Sequence, residues 1–246
     1  MRELSREEAV AGATVKLSLD VEVQRAIWNM MGGVTRGAVV LLDGSSGDVI
    51  ALISKPGVEM EEDESLGKRE VRGVAPILEA ISLLKESGGD EALVDGLVQR
   101  LGEERDGAGF GGNWDETGAL YGVSMGEGEA VQATAVELAR LGASLVNGGR
   151  VVEMRIGGVS GEGGGSEGGG KSLSIPEGAW EKLVSGLSDD EGVWLEGALG
   201  ANGLGRWVLF GVKKGGVVYG GGLTDVEGTS ASLNVLGRRV AKEVLE

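Results

Sequence analysis

Hydrophobic and polar residues along the chain fall into two repeating patterns, and the places where one gives way to the other predict its elements. VKLSLD (Val15 to Asp20) alternates with period two, which predicts a half-buried strand. Val23, Ile27, Met30 and Met31 then recur at helical spacing, so one face of a helix is apolar. Asp20 stands where that helix begins, able to accept hydrogen bonds from free N–H groups. Ala38–Asp43 and Val49–Ser54 are rich in Val, Ile and Leu, and GSSGD between them is turn chemistry. These runs predict a β-hairpin at or near the centre of a sheet, packed by a helix at the end of the chain.

Further along, residues 58–70 (VEMEEDESLGKRE) read as a solvated loop in which Glu61, Glu62, Asp63 and Glu64 are consecutive acids. Residues 74–86 (VAPILEAISLLKE) predict an apolar helix with Pro76 in its first turn. Glu91–Leu101 predicts a second helix through Leu93, Leu97 and Leu101, and 102–118 reads as a Gly-rich loop. A helix over Ala133–Val146 ends at Asn147-Gly148-Gly149, a C-cap with glycine available for the left-handed conformation. Residues 157–170 read as a flexible Gly-rich linker by composition. Pro176–Leu187 predicts a helix with Trp180, Leu183 and Leu187 on one face. Arg206–Lys213 and Gly216–Tyr219 predict adjacent strands, and Ser230–Leu245 a closing helix with Leu233, Leu236, Val240 and Val244 along one side.

Composition narrows the chemistry. At 246 residues one good-sized core is expected, with 1–14 a charged lead-in and 15–246 one domain. A net charge of −16 argues against nucleic acid and anionic membrane surfaces as partners. There is neither cysteine nor histidine, which removes thiol nucleophiles, disulfides, Ser-His and Cys-His pairs and most transition-metal sites. No metal and no cofactor is therefore expected, and any base must be Lys, Asp or Glu. Glycine, 48 residues, is far above its usual share of about 7%, which predicts Gly-rich loops throughout. Residues 1–13 hold no apolar core of signal-peptide length, and no run approaches the ~18 apolar residues that span a bilayer, so a soluble, unexported chain is expected.

Two stretches resemble the transpeptidase domain of penicillin-binding proteins. The first is Leu17-Ser18-Leu19-Asp20, then Val23-Gln24, then the hairpin GAVVLLDGSSGDVIALISKPG. The second is SMGEGEAVQATAVELARLGASLVNGGRVVEMRI, in which Ser124, Gly126, Gly128, Thr134, Leu138, Ala139, Asn147, Gly148 and Gly149 follow the family pattern. Ala135 stands where the family has proline. The resemblance covers residues 15–245. It implies an α+β fold, a mainly antiparallel sheet flanked by helices, with a shortened helical lobe between 74 and about 122. It also implies a cell-envelope setting and association with cell-wall synthesis proteins.

The family acylates a serine in a Ser-x-x-Lys motif, aided by Ser-x-Asn and by a Lys-Thr-Gly or Lys-Ser-Gly strand that binds the substrate carboxylate. In register, Val74 falls where the serine belongs and Ile77 where the lysine belongs. Ala198 and Leu199 fall on the Lys-Thr-Gly position, followed by Gly200, and SGGDEALVDGLVQRLG has no Ser-x-Asn. Two Ser-x-x-Lys strings occur elsewhere, Ser65/Lys68 and Ser82/Lys85, too few to be a signal above chance spacing. Ser65–Lys68 is the candidate for a shifted active pair. Two readings follow: a non-catalytic scaffold with a structural or interaction role related to peptidoglycan synthesis, or an active D,D-transpeptidase or carboxypeptidase with rearranged motifs. The five tryptophans, Trp28, Trp114, Trp180, Trp194 and Trp207, read as core or rim aromatics.

Overall fold

β1 (Val15–Leu17) opens the structure and pairs antiparallel with β8 (Gly157–Val159). This computed structural model describes residues 12, 14–56, 64–103, 115–121, 123–125, 131–159 and 170–245. Most of the expected lead-in, the acids Glu61 to Asp63, Trp114, Gly126, Gly128 and residues 160–169 of the expected linker lie outside them. β1 is exposed, not half-buried, with Val15 and Leu17 both more than half accessible. A two-stranded ribbon has no second layer against which to bury a face.

α1 (Val21–Met30) starts as expected. The Asp20 carboxylate accepts from the backbone N–H of Glu22 at 2.9 Å and of Val23 at 3.1 Å. β2 (Gly37–Asp43) and β3 (Val49–Lys55) form the predicted hairpin, and Asp43 accepts from the N–H groups of Ser45 and Ser46 in its turn. The hairpin is not central. The six-stranded antiparallel sheet runs β10 (Ser188–Asp189), β11 (Gly192–Leu199), β12 (Gly205–Lys214), β13 (Val217–Asp225), β2, β3. β3 is thus an edge strand, and the middle belongs to β12 and β13. Nearly continuous burial of β2 reflects cover on both faces, as its unbroken apolar run implies.

On one face α1 and α7 (Leu233–Leu245) enclose Val39, Leu41, Ala51, Ile53, Val208, Phe210 and Leu223. α7 lies on β12 and β13, while α1 is the helix against β3. On the other face lie α2 (Ala75–Glu86), α3 (Glu91–Glu103), α5 (Ala135–Val146) and α6 (Glu177–Leu187). α4 (Asp115–Tyr121) begins within the expected Gly-rich loop and runs past its end. Arg140 of α5 holds its end, donating to the carbonyls of Leu120 and Tyr121 at 3.1 Å each. α5 begins in a full capping box, in which Thr134 and Glu137 exchange side-chain-to-backbone bonds. Its C-terminal glycines, Gly148 and Gly149, have positive φ as predicted.

Many glycines are not in loops. A Cβ at Gly222 of β13 would lie 2.0 Å from the carbonyl oxygen of Ala135, and one at Gly142 of α5 would lie 2.2 Å from that of Phe210. α5 therefore rests backbone-to-backbone on β12 and β13, a packing only glycine admits. β4 (Arg69–Glu70), β5 (Ser124–Met125) and β6 (Val131–Ala133) add a three-stranded sheet, and β7 (Arg150–Val152) pairs with β9 (Gly170–Ser172). Strands thus stand at both ends of the segment expected as a linker.

Candidate functional site

The site that the resemblance singles out lies where the start of α2 meets the end of β11. Val74 is the N-cap of α2, with helical backbone angles and no side-chain cap, and is fully buried. Ile77, one turn on, is 4% exposed. Leu199 closes β11 at 1% exposed, and Ala198 beside it is half-buried. The structure thus brings all four positions into one neighbourhood, and none carries a hydroxyl, an amine or a carboxylate.

The main chain around them is occupied as well. Residues 70–72 run along the outer edge of β11 as a short strap. Arg72 N–H donates to the Ala198 carbonyl at 3.0 Å, Gly200 N–H donates to the Glu70 carbonyl at 2.8 Å, and Val71 faces Leu199 in an antiparallel bridge. The Trp207 indole N–H donates to the Arg72 carbonyl at 2.9 Å, and the Arg72 guanidinium to the Ala201 carbonyl at 2.8 Å. On its other side Val71 N–H donates to the Val131 carbonyl. The strap therefore joins the small sheet to the main one.

One anchor of the strap escapes sequence reading. Glu64, expected in a solvated loop, has a side chain 1% exposed. Its carboxylate accepts from Arg36 Nε at 2.6 Å and from Arg69 Nε and Nη2 at 2.7–3.1 Å, and its N–H donates to Ser54 Oγ at 2.9 Å. An acid run looks solvated because charge is costly to bury. Two guanidiniums brought from distant parts of the chain remove that cost, and nothing local announces them.

Of the shifted-pair candidates, Ser65 is fully buried, and Lys68 donates to Ser124 Oγ at 2.7 Å and lies 3.9 Å from a Glu137 oxygen. Burial pushes the Glu137 carboxyl above the ordinary glutamate range, against the pull of Thr134 and of the charges on Lys68 and Arg140. Ser82 is 5% exposed inside α2. Among the tryptophans, Trp180 and Trp207 are core, Trp194 is partly buried and Trp28 is 46% exposed. No group of three or more potential metal-ligating side chains occurs among the described residues. Nor is any described helix long and apolar enough to cross a membrane.

Comparison with solved structures decides the fold. Penicillin-binding protein A of Mycobacterium tuberculosis superimposes with a TM-score of 0.66 at 13% identity, over 96% of this chain and 82% of that one. The fold is that of the penicillin-binding proteins. Penicillin-binding protein 3 of the same organism gives 0.63 at 12% identity, over 97% of this chain and 80% of that one. Penicillin-binding protein 2 of Pseudomonas aeruginosa gives 0.61 at 15%, over 96% and 78%. Penicillin-binding protein A is also known as an acyl-enzyme with imipenem and with penicillin G. No protein-family model matches this chain, and no curated protein matches it. The penicillin-binding fold is therefore shared at identities where sequence alone leaves only scattered motifs.

Proposed function

We propose that this chain is a non-catalytic penicillin-binding-protein-like domain with a structural or interaction role related to peptidoglycan synthesis. The observation that carries it is the set of side chains standing where the start of α2 and the end of β11 come together. Acylation needs a hydroxyl beside a base, and the helix start offers Val74 and Ile77, both buried. Binding a substrate carboxylate needs a charge or donors, and Ala198 and Leu199 supply no side chain of that kind. The edge of β11 at that point already pairs with the strap, so an incoming main chain would have to displace Arg72.

The test is intact-protein mass spectrometry after incubation with penicillin G at neutral pH. The expected result is no mass increase. A stoichiometric adduct, mapped by digestion to Ser65, Ser124 or any other serine, would overturn this reading and establish an active serine transpeptidase or carboxypeptidase with shifted motifs.

A further inference from the structure

The outer edge of β11 is covered at both ends and open in the middle. β10 pairs with Gly192 and Val193, and the strap pairs with Ala198 to Gly200. Trp194, Leu195 and Glu196 lie between, with no strand beside them among the described residues. The Ala198 carbonyl turns outward to meet Arg72, so by the two-residue repeat of a strand the N–H and C=O of Glu196 turn outward too.

A cavity of about 370 Å³ follows this gap. Its apolar wall includes Ile77, Leu187, Trp194 and Trp207, and the Trp194 indole N–H is buried with no acceptor among the described residues. Its charged groups are Asp189, Glu196 and Arg238. Arg238 is already engaged: it donates to Asp189 at 2.6 Å and to Glu191, and lies 4.6 Å from the centre of the Trp194 ring. Asp189 and Glu191 thus share one guanidinium, and Glu196 adds a third carboxylate with no ion pair among the described residues, on a chain whose net charge is −16. Glu196 itself is exposed.

We propose that this gap binds an extended, positively charged segment of a partner protein, which adds a strand of about three residues to the sheet at Glu196. Main-chain hydrogen bonds to Glu196 fix its register, the Trp194 indole N–H meets a peptide carbonyl, and Glu196 pairs with a Lys or Arg side chain. The proposal rests on the open edge of β11 and its charges, and not on the non-catalytic reading. A penicillin adduct would therefore sink that reading and leave this one standing.

The test uses fluorescein-labelled eight-residue peptides, one alternating lysine and valine and one alternating glutamate and valine, followed by fluorescence anisotropy on the full chain. Saturable binding of the lysine peptide alone is expected. N-methylation of alternate amides should weaken it by about tenfold or more, the loss of one or two hydrogen bonds. Glu196→Lys should abolish it, while Glu22→Lys, the same charge change on α1 at the far edge of the sheet, should leave it nearly intact. Equal thermal melts of the two variants establish that both fold. Equal binding of both peptides, indifference to N-methylation, or equal effects of the two substitutions would overturn the proposal. So would a dimer that forms without peptide and dissociates in Glu196→Lys, which would assign the edge to a second copy of the chain.

Discussion

Replacing Glu64 by glutamine removes the charge that anchors the strap and leaves two guanidiniums facing an amide. The wild-type carboxylate is 1% exposed, with donor distances of 2.6 Å from Arg36 and 2.7–3.1 Å from Arg69. Removing one partner of a buried ion pair costs about 3–5 kcal/mol. Here the Arg36 and Arg69 side chains are 40% and 33% exposed and regain water when released. That lowers the expected loss to about 2–3 kcal/mol. For a domain of this size the melting temperature should fall by roughly 5–10 °C. Circular dichroism melts measure the global effect. Amide hydrogen exchange at Arg72 and Gly200, the two strap amides bonded across β11, measures the local one and should speed up more than exchange in β12. Glu22→Gln is the control, because its pair with Arg25 is exposed on both sides and should contribute almost nothing. If Glu64→Gln melts with wild type, or if the strap amides keep their protection, Glu64 does not anchor the strap.

Two further outcomes follow from the packing and the electrostatics. Gly222→Ala forces a methyl group onto the Ala135 carbonyl and should lower the urea midpoint by the equivalent of about 1–3 kcal/mol with an unchanged slope; an unchanged midpoint would mean that α5 shifts freely on β13. Burial raises the folded-state pKa of Glu137, so its protonated form contributes stability that is complete below the ordinary glutamate value of about 4.3 and is lost as pH rises through the raised one. The unfolding free energy of wild type should therefore fall relative to Glu137→Gln across that window, and parallel pH curves for the two would contradict the assignment.

The local chemistry of many elements was legible in the sequence because their causes are local. Asp20 caps α1 through N–H groups two and three residues away, and GSSGD turns because Asp43 bonds to Ser45 and Ser46. Gly148 and Gly149 end α5 within one turn of the residues they serve. The absence of His and Cys, and the apolar residues at Val74, Ile77, Ala198 and Leu199, could likewise be read without coordinates. Placement was another matter. The hairpin 38–54 went to the sheet edge because β13 pairs with β2, and nothing within 38–54 names that neighbour. The alternation in VKLSLD was real, yet Val15 and Leu17 stay exposed. The glycines of β13 looked like loop residues until α5 was laid upon them. Glu64 looked solvated until Arg36 and Arg69 closed on it. Hydrogen bonds between near neighbours in the chain leave a mark in composition and spacing. Contacts between residues dozens of positions apart are decided by which surfaces the whole core brings together, and that sum is taken only in the tertiary structure.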